Sequence, residues 1–91
     1  MVMIVVGTVR GKVQGVWFRR FVTENARSLN VAGYAKNLDD GRVEVLLCGS
    51  EHAVEWLKQQ VEQGPPLARV DGVEWRLADD QSERFTDFTV R

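Results

Sequence analysis

Arg10-Gly11-Lys12-Val13-Gln14-Gly15-Val16-Trp17-Phe18-Arg19-Arg20 is the stretch on which the fold turns. Upstream, Val2-Met3-Ile4-Val5-Val6 is an apolar, β-branched run that opens a strand over about 2–9. Its continuous apolar first half predicts a strand that is central in its sheet or covered on both sides. Downstream, Phe18, Phe21, Val22, Ala26 and Leu29 recur at helical spacing and predict a helix over about 18–29. Those five side chains face the core on this reading, while Arg20, Thr23, Glu24 and Arg27 face water. Asn30, after the last apolar position, suits a left-handed cap. The quoted stretch is therefore a strand-to-helix loop with Gly11 and Gly15 in it and the cations Arg10, Lys12, Arg19 and Arg20 in or beside it.

Glycine lets backbone N–H groups turn inward around a ligand, and a helix start adds partial positive charge. Arg19 falls at that start, where its planar fork can close over two oxygens of a phosphate. The loop reads as an anion cradle or, more plainly, as a solvated basic turn; alone it does not decide between them. It is not a Walker loop, because the glycine spacing differs and no Ser or Thr follows Lys12. Nor does it carry the three glycines of a dinucleotide fingerprint.

Beyond the helix, a β-like run over 31–38 and another over 42–48 flank Asp39-Asp40-Gly41, a strong hairpin signal. Asp39 and Asp40 read as turn residues in water rather than as a metal or acid–base pair. Val43, Val45 and Leu47 alternate toward the core. Ser50 can cap a second helix over 51–63 with Val54, Leu57 and Val61 buried, ended by Gly64-Pro65-Pro66. A strand over 69–77 follows, then a polar loop over 79–83 and a last short strand over 85–90 with Phe88 and Val90 in phase. Trp56 and Trp75 are expected in the core or at its edge. The order β-α-β-β-α-β plus a terminal strand predicts a ferredoxin-like, split βαβ α/β sandwich. Two helices pack on one face of a four- or five-stranded, mainly antiparallel sheet.

The chain has 91 residues, which predicts one domain over 1–91. A formal net charge of −1 excludes a general nucleic-acid coat, which needs many uncompensated cations. The basic cluster is local within a balanced chain and fits a small anion better than a polymer. The single cysteine, Cys48, has no partner for an internal disulfide, as in a reducing cytoplasm. The N-terminal apolar run is too short to span a membrane and has no signal-peptide flank, so no membrane association is expected.

A second stretch, Gly33-Tyr34-Ala35-Lys36-Asn37 with Gly41 and Val43, changes the weight of the first. Together they resemble the two signature stretches of the acylphosphatase family. Gly11, Val13, Gln14, Gly15, Val16, Phe18 and Arg19 meet the first pattern, G-x-V-Q-G-V-x-F-R. Gly33, Tyr34, Lys36, Asn37, Gly41 and Val43 meet the second, G-aromatic-x-K-N-x-x-x-G-x-V. The resemblance spans essentially the whole chain and implies a small, free-standing enzyme that hydrolyses the carboxyl–phosphate anhydride of acyl phosphates without metal or cofactor. It implies that backbone N–H groups of Gln14, Gly15, Val16, Trp17, Phe18 and Arg19 cradle the phosphoryl group. It makes Arg19 the group that grips it and Asn37 the group that orients the attacking water. The implied partner is a small-molecule acyl phosphate, with no nucleic acid, no membrane and a monomeric state.

Other groups fit other chemistry poorly. Cys48 lacks the arginine six residues on that a cysteine phosphatase needs, since that position is Val54. His52 stands near the start of the second helix with no nearby Cys or His. Trp17 sits in the cradle loop, where it can wall the acyl side of the substrate. The rival class is a binding module for RNA or for phosphate compounds. RNA-binding versions of this topology stack bases on sheet aromatics, and here the first strand is aliphatic.

Overall fold

The computed structural model describes residues 2–78 and 85–91. The elements are β1 (Val2–Lys12), α1 (Phe18–Ser28), β2 (Ala32–Asn37), β3 (Val43–Ser50), α2 (Glu51–Gln63), β4 (Arg69–Leu77) and β5 (Phe88–Val90). They form a five-stranded sheet in the order β4-β1-β3-β2-β5, antiparallel except for the β2–β5 pair. This is the ferredoxin-like α+β architecture read from the sequence. The expected polar loop over 79–83 lies outside the described residues.

Both helices lie on one face. Phe18, Val22 and Ala26 of α1 and Val54, Leu57 and Val61 of α2 pack with Val5, Val9, Ala35, Val43, Val45, Leu47 and Phe88 of the sheet. On the other face, Val6, Leu46 and Ala78 form a smaller cluster with Ile4, Tyr34, Cys48 and Phe85 packed against it. β1 is thus apolar on both sides, which is why its sequence shows no alternation.

Local chemistry sets the helix ends. The Ser50 hydroxyl accepts from Ala53 N–H at 3.2 Å and caps α2. At the end of α1, Asn30 adopts φ 57° and Val31 N–H reaches back to Ala26 O at 2.8 Å. That is a left-handed stop of the Schellman kind.

Several expectations are corrected. β1 does not stop near Val9 but runs to Lys12, because its pairing with β4 continues across a bulge between Arg10 and Gly11. Gly11 has φ 129°, and a Cβ there would run into the carbonyl oxygen of Arg69. Its glycine serves a close strand approach rather than a ligand-binding turn. Thr23 is buried, not solvated: only 6% of its surface is exposed. Its hydroxyl donates to Arg19 O at 2.7 Å, one turn back, so it enters the core side without an unpaired polar group. Phe21 and Leu29 are only half-buried at the margin of the core. Trp56 is 43% exposed on α2 and is not a core residue. Trp75 is at the edge of the core as expected, half-buried, with its indole N–H donating to Glu62 at 2.9 Å.

The last strand is the three residues of β5, not a run from Phe85. Phe85 instead meets the Tyr34 ring, at 6.1 Å between centroids, and Asp87 Oδ1 accepts from Phe88 N–H at 2.7 Å. Phe88 is buried as expected, whereas Val90, at the end of this short edge strand, is 50% exposed.

Candidate active site

The cradle loop is residues 13–17, between the end of β1 and the start of α1. Val13 and Val16 are buried and pin it to the core, while Gly15 and Trp17 are exposed. Gly15 has φ 74° and Trp17 φ 65°, so the chain turns twice through left-handed backbone within three residues. Such turns gather N–H groups toward one concavity. A Cβ on Gly15 would meet nothing within 4 Å, so its glycine answers to conformation and not to crowding.

The two helix starts differ in a way that matters. α2 has its serine cap and Glu51 in the first turn. α1 has Trp17 at the cap position, no side-chain cap and no acidic residue in its first turn. Its first-turn N–H groups and partial positive charge are left for an external anion.

Two sets of hydrogen bonds tie distant segments of the chain to this stretch. The Arg19 guanidinium donates through Nη1 to Arg91 O at 2.8 Å, and Arg91 N–H donates to Ala35 O on β2 at 2.8 Å. The Arg91 guanidinium lies 4.3 Å from the Tyr34 ring centroid. Gln14 Nε2 donates to Leu38 O at 2.8 Å and to Arg42 O at 3.0 Å, across the neck of the β2–β3 hairpin. Asn37, the last residue of β2, immediately precedes that neck. Its Oδ1 is buried and accepts no hydrogen bond among the described residues. A buried acceptor left so costs about 1–3 kcal/mol, so the position favours a donor such as a water O–H.

A hollow of about 390 Å³ opens at the helix start, lined by Val13, Gly15, Trp17, Phe18, Arg19, Arg20 and Val90. The expected phosphate-binding residues therefore divide. Gly15, Trp17, Phe18 and Arg19 border the hollow, and Val16 is buried beneath the loop. Phe18 is a core side chain, so only its backbone is available to a ligand there. Gln14 turns its amide to the hairpin, leaving its N–H as the group that can face an anion. Asn37 does not line the hollow; it ends β2 one residue before Leu38, whose carbonyl accepts from Gln14.

Of the four cations in the stretch, Arg19 and Arg20 border the hollow. Arg10 lies against Gly72 on β4, and Lys12 is exposed at the end of β1. Arg20 sits 5.5 Å from the Trp17 ring centroid and 3.5 Å from Glu24. Trp17, 67% exposed, stands at the mouth.

The residues set aside behave as their surroundings dictate. Asp40 accepts from the Arg42 guanidinium and from Arg42 N–H, at 2.7 and 3.1 Å, and Arg42 holds its carboxyl below the usual range. Cys48 is half-buried on the outer face of the sheet, where burial pushes its thiol up. His52 is exposed on α2. Among the described residues, no helix is long and apolar enough to cross a membrane.

Sequence reading missed the Gln14 bridge and the approach of Val90 and Arg91. No spacing rule reveals either one. Gln14 binds backbone carbonyls 24 and 28 positions away, which carry no residue signature.

Comparison with known proteins supplies the family. The acylphosphatase family model matches residues 5–90. The acylphosphatase of Halorhodospira halophila is 52% identical over 73 residues, 80% of this chain and 79% of that one. The crystal structure of acylphosphatase from Bacillus subtilis superposes with a TM-score of 0.91 at 34% identity, covering 100% of this chain and 99% of that one. An acylphosphatase structure from Coxiella burnetii gives 0.90 at 39% identity, covering 99% and 93%.

Proposed function

The chain belongs to the acylphosphatase family and hydrolyses acyl phosphates, and from that premise we propose how its residues divide the work. The phosphoryl group sits at the uncapped start of α1, among the N–H groups of 14–19. Arg19 grips it with the donors that Arg91 O leaves unused. Asn37 Oδ1 accepts a hydrogen bond from the attacking water. The observation that carries this reading is the helix start itself, which opens on the hollow beside Arg19 without a cap or an acidic residue.

The chemistry asks for little more. Water oxygen bonds to phosphorus as the bond from phosphorus to the acyl oxygen breaks, and the carboxylate departs with the electron pair. Its conjugate acid has a pKa of about 4, so no general acid is required. The water's proton passes to a phosphate oxygen of the substrate, because a neutral amide such as Asn37 accepts a hydrogen bond but does not take the proton. Catalysis then rests on positioning and on stabilising charge at the equatorial oxygens, the tasks of Arg19 and the loop. No cofactor or metal enters this scheme. Trp17 walls the acyl side.

The same reading takes 1–91 as one catalytic domain, working as a monomer in the cytoplasm on a small-molecule substrate. The lone cysteine supports the reducing compartment, and the near-neutral charge of −1 supports a small anion over a nucleic acid. Inorganic phosphate tests the cradle. It should inhibit competitively, and Arg19→Ala should abolish that inhibition along with turnover. Undiminished phosphate inhibition in a folded Arg19→Ala variant would refute the assignment.

A further inference from the structure

We propose that Gln14 is a positioning residue whose side-chain amide fixes Asn37 against the Arg19 cradle. The proposal rests on the roles given above to Arg19 and Asn37. A primary amide has two N–H donors, and Gln14 directs its amide nitrogen at Leu38 O and Arg42 O, at 2.8 and 3.0 Å. Those carbonyls already have partners within the hairpin. Leu38 N–H donates to Arg42 O at 2.8 Å, and Gly41 N–H donates to Leu38 O at 3.2 Å. The bonds from Gln14 are thus not needed to satisfy the turn. What they add is location.

The two sides of the bridge are unequally anchored. On the loop side, Val13 and Val16 are buried and α1 follows at once. On the hairpin side, residues 39–42 are all exposed and reach the body of the protein through β2 and β3. Without the bridge, the hairpin neck is the side free to shift, and Asn37 is the residue adjoining it. The cradle keeps its own anchors. Gln14 therefore acts on the water position, while the phosphate grip stays with the loop and Arg19.

This separates a positioning role from a merely structural one. Loss of the bridge should lower kcat and leave phosphate inhibition intact, and it should matter only while Asn37 is present. The test is a double-mutant cycle on benzoyl phosphate hydrolysis with Gln14→Met and Asn37→Ala, together with inhibition by inorganic phosphate. Gln14→Leu is the second variant, close in size, uncharged and without either donor. Either Gln14 variant should lose kcat on the order of 10- to 100-fold, the scale of a misplaced reacting group. The same substitution in the Asn37→Ala background should cost nothing further.

Equal losses in both backgrounds, an unchanged kcat, or a loss confined to phosphate inhibition would overturn the proposal. Full kcat in Asn37→Ala alone would overturn it too, but by removing the role of Asn37 itself. That outcome is read from the single variant before Gln14 is touched.

Discussion

The Arg19 guanidinium donates to the backbone carbonyl of Arg91 at 2.8 Å, joining residues 72 positions apart. Among the described residues, one of the five donors of the fork is used on the protein, and that bond sets the plane in which the others lie. Lysine keeps the charge but has no fork to divide between a carbonyl and a phosphate. Arg19→Lys should therefore weaken phosphate binding by the worth of about one charge-assisted hydrogen bond, about 1.5–3 kcal/mol or roughly 10- to 150-fold. Competitive inhibition by inorganic phosphate measures it. Equal inhibition of the lysine variant and the parent would mean that charge alone suffices.

Asn37 has a buried carbonyl oxygen with no donor among the described residues. Asn37→Ala should keep phosphate inhibition and lose rate, by about 100-fold or more if the amide orients the reacting water. Steady-state kinetics on the variant separate the two. Lost phosphate inhibition with an intact kcat would reverse the roles of Asn37 and Arg19.

Gly11 makes a prediction about stability rather than chemistry. Its φ of 129° and the Arg69 carbonyl facing it leave no room for a side chain. Gly11→Ala should cost at least about 1–3 kcal/mol in backbone strain alone. For a domain of this size each kcal/mol lowers Tm by about 4–8 °C, which thermal unfolding would register. A variant with an unchanged Tm would show that the β1–β4 bulge relaxes freely.

Cys48 makes the complementary prediction. Burial pushes its thiol up, so little thiolate forms at neutral pH. Iodoacetamide should label it slowly and leave activity intact, and Cys48→Ser should turn over at the parent rate. Rapid inactivation by the reagent, protected by phosphate, would bring the cysteine back into the site.

These cases show what the chain states openly. Alternation in β3, the apolar stripe of α2 and the Ser50 cap follow local periodicity and capping, and the structure has them where the sequence puts them. Gly11 misleads, because a glycine before a loop looks the same whether it turns the chain or admits a neighbouring strand. Thr23 misleads because its hydroxyl finds a carbonyl one helical turn back, and so can be buried. Trp56 misleads because an aromatic flanking a helical stripe has surface to cover only if another element lies over it. The site divides in the same way. Arg19 and Asn37 stand in local motifs, whereas the hydrogen bonds from Gln14 to Leu38 and from Arg19 to Arg91 end on backbone carbonyls that no residue pattern encodes.

The measurement that bears most directly on the account is benzoyl phosphate hydrolysis by metal-stripped protein, with Arg19→Ala run beside the parent. The stripped parent should turn over rapidly, unaffected by chelator, and the folded variant should show no turnover. Turnover that needs an added metal, or that persists without Arg19, would contradict it.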